Sequence, residues 1–289
     1  MTDEHEWRAN CAVASASTTI SRPGGCNPRT SAAMAHHGHA CNCETGLNPE
    51  PLQRLLRVEA SGGYKRRWNY VSEIQRHGMD ASWRQKMCRW MFETGQAFDL
   101  MADTVASAIH CMDQYLSVLS VDKIMLQLVS MVCMYTASKM HESYPISMEE
   151  LELLCEHKFS RANIRLMEAQ LLQVLDWKLN PPVPHIFARD FIQLLRLPSI
   201  DHQRLLQENV LDFLQLVLED YASLRFKSSS LAIAAVQLFY QLQYPQAEPG
   251  AMLAVLSHLD VNATELIESF RLLRDIYRAE VAVHIQRQP

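Results

Sequence analysis

From Ile124 to Ala137 the chain is almost continuously apolar, and the run ends abruptly in Ser138-Lys139-Met140-His141-Glu142. A helix apolar on every side belongs at the centre of a bundle, because none of its faces can be left in water. The run is too short to cross a bilayer, and Gln127 and Ser130 interrupt it. A buried rod that stops in exposed charge is expected to be a scaffold with a contact site at its end.

The rest of the composition narrows what that scaffold can be. A chain of 289 residues, 48% of them hydrophobic, has room for two domains or for one domain with a tail. The formal net charge of −5 argues against non-specific nucleic-acid binding, which needs a basic face. Only 9 glycines occur and none forms a phosphate-cradling loop, which removes the simplest nucleotide-binding readings. Of the eight cysteines, Cys88, Cys111, Cys133 and Cys155 fall inside apolar helical patterns, where a thiol behaves as a small hydrophobe. The acidic, polar start is not a signal peptide, so a reduced compartment, nucleus and cytoplasm, is expected, with no membrane insertion.

Four segments are expected. Residues 1–47, rich in Ser, Thr, Ala, His, Asn and Pro, read as a disordered tail. Residues 48–80 read as a helical extension: "EPLQRLLRVEA", a break at Ser61-Gly62-Gly63, then "YKRRWNYVSEIQRHG". Ten helical patterns follow in two groups of five, over 81–180 and 181–285, parted by Asn180-Pro181-Pro182. In each group the third pattern is the most apolar, Ile124–Ala137 in the first and Leu231–Leu242 in the second, which reads as a tandem repeat. A capping box, Ser147 with Glu150, opens the short fourth pattern. No useful strand alternation appears, so the class is all-α.

Some charged positions stand out. Arg84 and Asp113 fall on apolar faces of the first two patterns, and periodicity does not decide between a buried pair and two surface charges. On residue type alone, Lys139 and Glu168 read as a solvated pair worth less than about 1 kcal/mol. Lys65-Arg66-Arg67 reads as a solvated helix face rather than an import signal. His36, His37, His39, Cys41 and Cys43 lack the second ligand pair of a built zinc site, so no metal and no cofactor are expected. No nucleophile–base constellation can be assembled, so no enzyme activity is expected.

The segment "LQLVSMVCMYTASKMHESYP" resembles the third helix of a cyclin box, and "WRQKMCRWMFE" and "AIHCMDQYLS" resemble the first two. "LQRLLRVEASGGYKRRWNYVSEIQ" and "LDWKLNPPVPHIFARDFI" have D-type character. The resemblance covers about residues 50–285 and implies two tandem five-helix boxes. It further implies a regulatory subunit that activates a cyclin-dependent kinase of the type that pairs with D-type cyclins. Kinase-inhibitor proteins would be further partners.

Carried over position by position, the resemblance makes Arg84 and Asp113 a structural ion pair. It makes Lys139 and Glu168 the polar grip on the kinase, with Thr136, Met140, Glu142, Trp177 and Leu179 around them. Trp177 reads alternatively as a residue packed at the junction of the boxes. A patch for Arg-x-Leu substrate motifs would fall on Trp83, Met87, Trp90, Glu93 and Gln127, but Lys86 would repel an arginine there. The chain departs from D-type members in lacking a Leu-x-Cys-x-Glu motif and any Ser-Pro or Thr-Pro dipeptide, and in carrying Asp113-Gln114 for the usual Asp-Arg. A cyclin-fold adaptor and a transcription-factor-IIB-like DNA binder are the other readings.

Overall fold

The computed structural model describes residues 49–195, 197–246, 256, 257, 259 and 261–287. The expected tail, with His36, His37, His39, Cys41 and Cys43, lies outside them, as does most of "PGAMLAVLSHL". The described residues form eleven α-helices and one 3-10 helix, with no strand among them. An extension carries α1 (Glu50–Ala60) and α2 (Tyr70–Glu73). The first bundle is α3 (Ala81–Ala97), α4 (Ala102–Leu116), α5 (Lys123–His141), α6 (Met148–Leu154) and α7 (Arg161–Val174). The second is α8 (Pro184–Leu194), α9 (Ile200–Glu219), the 3-10 helix (Tyr221–Arg225), α10 (Ser228–Gln243) and α11 (Ala263–Arg287).

Each bundle is built around its apolar third helix. In the first, α3, α4 and α7 pack on α5, whose Leu126, Val129, Met131, Val132, Cys133 and Met134 are fully buried. Asp122 caps the start of α5 by accepting from Met125 N at 2.7 Å. The one hydroxyl in its middle, Ser130, donates to Leu126 O at 2.8 Å and so buries no unmet donor. Lys139 and His141 occupy the last turn, where the helix dipole favours cations. At Gly95 of α3 an added Cβ would lie 2.4 Å from Val105 of α4, so these two helices meet at a separation only glycine allows. In the second bundle α8, α9 and α11 enclose α10, which is buried from Ser228 through Val236.

Both bundles are tied to one buried cation. Arg84 of α3 donates through Nε and a terminal nitrogen to the two oxygens of Asp113 on α4, both at 2.8 Å. Its other terminal nitrogen donates to Leu218 O at 2.9 Å and Glu219 O at 3.2 Å. The last carbonyls of a helix have no partner within it, so Arg84 satisfies the end of α9 from the opposite bundle. Tyr70 adds a hydrogen bond to Asp113 at 2.9 Å. At the rim of this joint Arg89 pairs with Glu219 at 2.9 Å, and Arg189 of α8 pairs with Asp103 of α4.

The extension differs from its sequence reading. Only Tyr70–Glu73 of "YKRRWNYVSEIQRHG" is helical. Lys65-Arg66-Arg67 is not a solvated helix face: the Arg66 side chain is 8% exposed and its guanidinium stands 3.9 Å from Asp113. The segment is a clasp across the two bundles. Leu52 of α1 joins the core of the second bundle, and Glu59 accepts hydrogen bonds from the backbone and hydroxyl of Ser229 at the start of α10. Further along, Gln75 donates to Leu116 O and Leu119 O of the first bundle at 2.7 and 2.9 Å.

Burial alone would raise the pKa of Asp113. The charges of Arg84 and Arg66 and the bonds from Arg84 and Tyr70 outweigh it and hold the carboxyl below its ordinary value. Asp113→Asn removes the counter-charge from two buried guanidiniums and should cost about 3–5 kcal/mol of folding free energy in a chemical denaturation curve. His110 and His185 behave oppositely to an exposed histidine. Burial, aided at His110 by the Arg66 charge, depresses them to about 3 and about 4. The neutral forms are kept in the folded state, so their stabilisation is full above the unfolded pKa near 6.5 and is lost as pH falls below it. Stability should therefore drop by about 1.4 kcal/mol per pH unit per histidine between pH 6.5 and 4, with the slope reduced in His110→Asn. A profile flat across that window would contradict the burial.

Candidate functional site

The polar end of α5 and the adjoining face of α7 form the candidate site. Lys139, in the last turn of α5, pairs directly with Glu168 in the middle of α7. Two neighbours hold the pair in place. Thr136 Oγ1, one turn before Lys139, donates to the same Glu168 oxygen at 3.4 Å. The Tyr135 ring lies 4.2 Å from Lys139 Nζ, a cation–π contact at the i, i+4 spacing. The pair is only partly covered: the lysine side chain is 38% exposed and the glutamate 17%.

Exposed apolar groups lie on the segments that follow the two members of the pair. Met140 is 52% exposed and Trp177 is 69% exposed, while Leu179 is half-buried. The structure therefore displays Trp177 rather than packing it at the junction of the bundles. Tyr144, Leu153 and Leu166 are exposed on the neighbouring segments. Sequence reasoning passed over these three; their signal was an apolar residue falling off the buried stripe of its helix or just beyond a helix end.

Trp177 is presented by an uncommon backbone. Asp176 and Trp177 both have positive φ, 51° and 58°, a left-handed conformation that costs a non-glycine residue roughly 1–2 kcal/mol. The turn is held by Trp177 N donating to Leu172 O at 3.0 Å and Lys178 N donating to Leu175 O at 3.0 Å. The Asp176 carboxylate, its pKa lowered by the bond from Lys178, pairs with that lysine at 2.8 Å.

Glu142 has a different place from the one expected. It is turned inward, accepting from Met101 N at 2.8 Å and from Thr104 Oγ1. It thereby caps the start of α4, where Met101 supplies no side-chain cap. The α3 patch is also largely closed. Met87 is fully buried and Trp90 is 5% exposed, leaving Glu93 exposed and Gln127 half-buried. The half-buried Trp83 has two ammonium groups over its ring, Lys123 at 4.3 Å and Lys86 at 4.8 Å. Among the described residues no cluster of His, Cys, Asp or Glu could hold a metal, and no helix is long and apolar enough to cross a membrane. Cys88 and Cys111 are buried thiols pushed up to about 12 by desolvation.

Comparison with known proteins bears on this arrangement. Residues 52–180 match the family described as cyclin, N-terminal domain. Human G1/S-specific cyclin-D3 is 31% identical over 185 residues, which are 64% of this chain and 62% of that protein. Rat G1/S-specific cyclin-D3 is 29% identical over 230 residues, 80% of this chain and 72% of that one. Putative cyclin-A3-1 of Arabidopsis thaliana is 26% identical over 210 residues, 72% and 58% of the two chains. Among solved structures, a viral cyclin from herpesvirus saimiri superposes with a TM-score of 0.67 at 18% identity, over 78% of this chain and 95% of that one. At that identity the likeness is one of fold. The fold is like that of the viral cyclin, and residues 52–180 resemble the N-terminal domain of cyclins. The chain spans less than two thirds of the length of human G1/S-specific cyclin-D3.

The left-handed turn makes a test of its own. Trp177→Gly removes an exposed side chain and relieves the backbone, so stability should stay level or rise by about 1 kcal/mol in thermal or denaturant unfolding. A loss of more than about 1 kcal/mol would mean that Trp177 is a packing residue.

Proposed function

We propose that this protein is a divergent cyclin with D-type character, a regulatory subunit that binds and activates a cyclin-dependent Ser/Thr kinase of the type that pairs with D-type cyclins, and that it contributes no catalytic chemistry itself. The observation that carries this reading is the Lys139–Glu168 pair, held between Thr136 and Tyr135, with Met140 and Trp177 exposed on the chain segments that follow its two members. An aromatic and apolar surface around a fixed charge pair is the usual composition of an interface centre.

The mechanism follows from rigidity. The middle of the α5 rod is buried from Leu128 to Met134, so its end is anchored when a mobile helix presses on it. A kinase whose regulatory helix moves between outward and inward positions would find its polar and apolar partners only in the inward one. That position completes the lysine–glutamate pair orienting ATP phosphates in the kinase. The cyclin shifts the equilibrium only by the difference in its affinity for the two states. In this reading Lys139 and Glu168 set the register, and Met140, Trp177 and Leu179 supply apolar area.

The α3 patch plays a smaller part. With Met87 and Trp90 buried and two cations over Trp83, an arginine-bearing peptide would meet like charge there. Kinase-inhibitor proteins would act on the assembled complex, and the protein would work in the nucleus and cytoplasm.

Lys139→Ala with Glu168→Ala should change stability by less than about 1 kcal/mol. The same pair of changes should weaken capture of the kinase by about tenfold or more. Undiminished capture removes these residues from the mechanism. Capture without activation, in a kinase assay on the reconstituted pair, would leave an adaptor instead.

A further inference from the structure

A second surface lies where the extension crosses between the bundles, with Pro182 on its lining and Lys139 and Glu168 outside it. A cleft of about 230 Å³ opens there, lined by Tyr64, Lys65, Arg66 and Trp68 of the extension, His110 of α4, and the 224–228 segment that leads into α10. In a chain of net charge −5, this cleft gathers four cations, Lys65, Arg66, Arg225 and Lys227, against a single lining carboxylate, Glu59. That carboxylate is already engaged by the backbone and hydroxyl of Ser229. Lys227 has a further carboxylate, Glu265, 4.0 Å away, which leaves Lys65 and Arg225 as the freer charges.

Three features distinguish the cleft from a solvated basic patch. Arg66 is buried beside Asp113, but both oxygens of Asp113 are taken by Arg84, so two guanidiniums share one counter-charge. Burial and the repulsion of Arg84 lower the Arg66 pKa, and Asp113 offsets this only in part. His110 is buried with Nε2 bonded to Tyr64 O at 3.0 Å, and its Nδ1 has no partner. Arg225 is held with its guanidinium 5.8 Å from the Trp68 ring and 6.0 Å from the Phe226 ring, and among the described residues neither it nor Lys65 pairs with a carboxylate. Preplaced cations with unmet counter-charge are the requirements of a phosphate site.

We propose that this cleft binds a phosphate monoester carried on a phosphorylated side chain of a partner polypeptide. Its volume falls below the roughly 300–1,000 Å³ of sites that enclose whole small molecules, so it accommodates a phosphate and its ester oxygen better than a nucleotide. Trp68, 53% exposed at the mouth, offers apolar area to the residues flanking the phosphate. Arg225 and Lys65 meet the phosphate oxygens, and Arg66 supplies charge from behind.

The test titrates the full chain with a capped Ala-Ala-phosphoserine-Ala-Ala peptide, followed by phosphorus NMR or calorimetry. The unphosphorylated peptide, inorganic phosphate and ATP serve as parallel arms. The phosphopeptide should bind more tightly than either free anion and weaken with added salt, and the unphosphorylated peptide should not bind. Lys65→Ala with Arg225→Ala, both at exposed positions, should reduce phosphopeptide affinity by about tenfold or more without lowering the melting temperature. No binding of the phosphopeptide, equal binding by the double variant, or equal affinity for inorganic phosphate or ATP would each overturn the assignment. The kinase capture described above is a separate readout, since Lys139 and Glu168 lie outside this cleft.

Discussion

A single guanidinium decides how the two bundles meet. Arg84 is completely buried, and a buried charge is tolerated only where its donors find acceptors. Two of its acceptors, the oxygens of Asp113, come from its own bundle, and two, the carbonyls of Leu218 and Glu219, come from the end of a helix in the other. The arrangement solves two desolvation problems together: the arginine loses its water and the last turn of α9 loses its own. Neither is satisfied if the bundles part. Tyr70 brings the extension to the same point, and Glu59 fastens it to the start of α10. The residues on this network come from α3, α4, α9 and the extension, so the relative placement of the bundles is set by polar geometry. Apolar area, being non-directional, sets their compactness.

The rim at the end of α5 inherits its rigidity from that construction. The α6 and α7 helices also end on the same backbone device. Glu156 and His157 after α6 repeat the positive φ angles of Asp176 and Trp177. They repeat the hydrogen bonds as well: His157 N to Glu152 O matches Trp177 N to Leu172 O, and Lys158 N to Cys155 O matches Lys178 N to Leu175 O. Each turn carries an acid–lysine pair two residues apart. A histidine occupies one left-handed position and a tryptophan the other, so the turn itself does not call for an indole. With 69% of it exposed, Trp177 contributes little burial either. What remains is its display just past the end of α7, the helix that carries Glu168.

Much of this was legible in the residues, because the signals were local. Periodicity located the described helices of both bundles, the apolar third helix of each marked its core, and Ser147 with Glu150 announced the cap the structure contains. What was not legible depends on long-range partners. Arg66 reads as one of three consecutive solvated cations until α4 places Asp113 beside it, 47 positions along. Glu142 reads as an outward contact at the end of α5 until the start of α4 turns out to lack a cap. The buried state of Met87 and Trp90 could not be separated from half-exposure, since a helix with apolar residues on most of its face shows no clear stripe. The break of the long α9 pattern at Asp220, which caps the 3-10 turn by accepting from Ala222 N at 2.8 Å, was hidden by apolar spacing that continues through it.

The energetics of the Lys139–Glu168 pair separate its two potential roles. At a partly exposed surface such a pair adds at most about 1 kcal/mol, and part of that is returned as side-chain entropy. Stability therefore gives little reason for Thr136 and Tyr135 to fix both ends of it. At an interface the account changes. Once water is excluded, a charge pair already in position forms its contacts without paying for new order, and a wrong partner leaves it desolvated and unmatched. The same reasoning extends to the tryptophan, whose two side-chain torsions leave little freedom to lose. On the proposed function, an ordered charge pair and a stiff aromatic near the end of the buried α5 would serve to discriminate between two shapes of one partner. That discrimination, rather than tightness of binding, is what a regulatory subunit needs in order to change the state of what it holds.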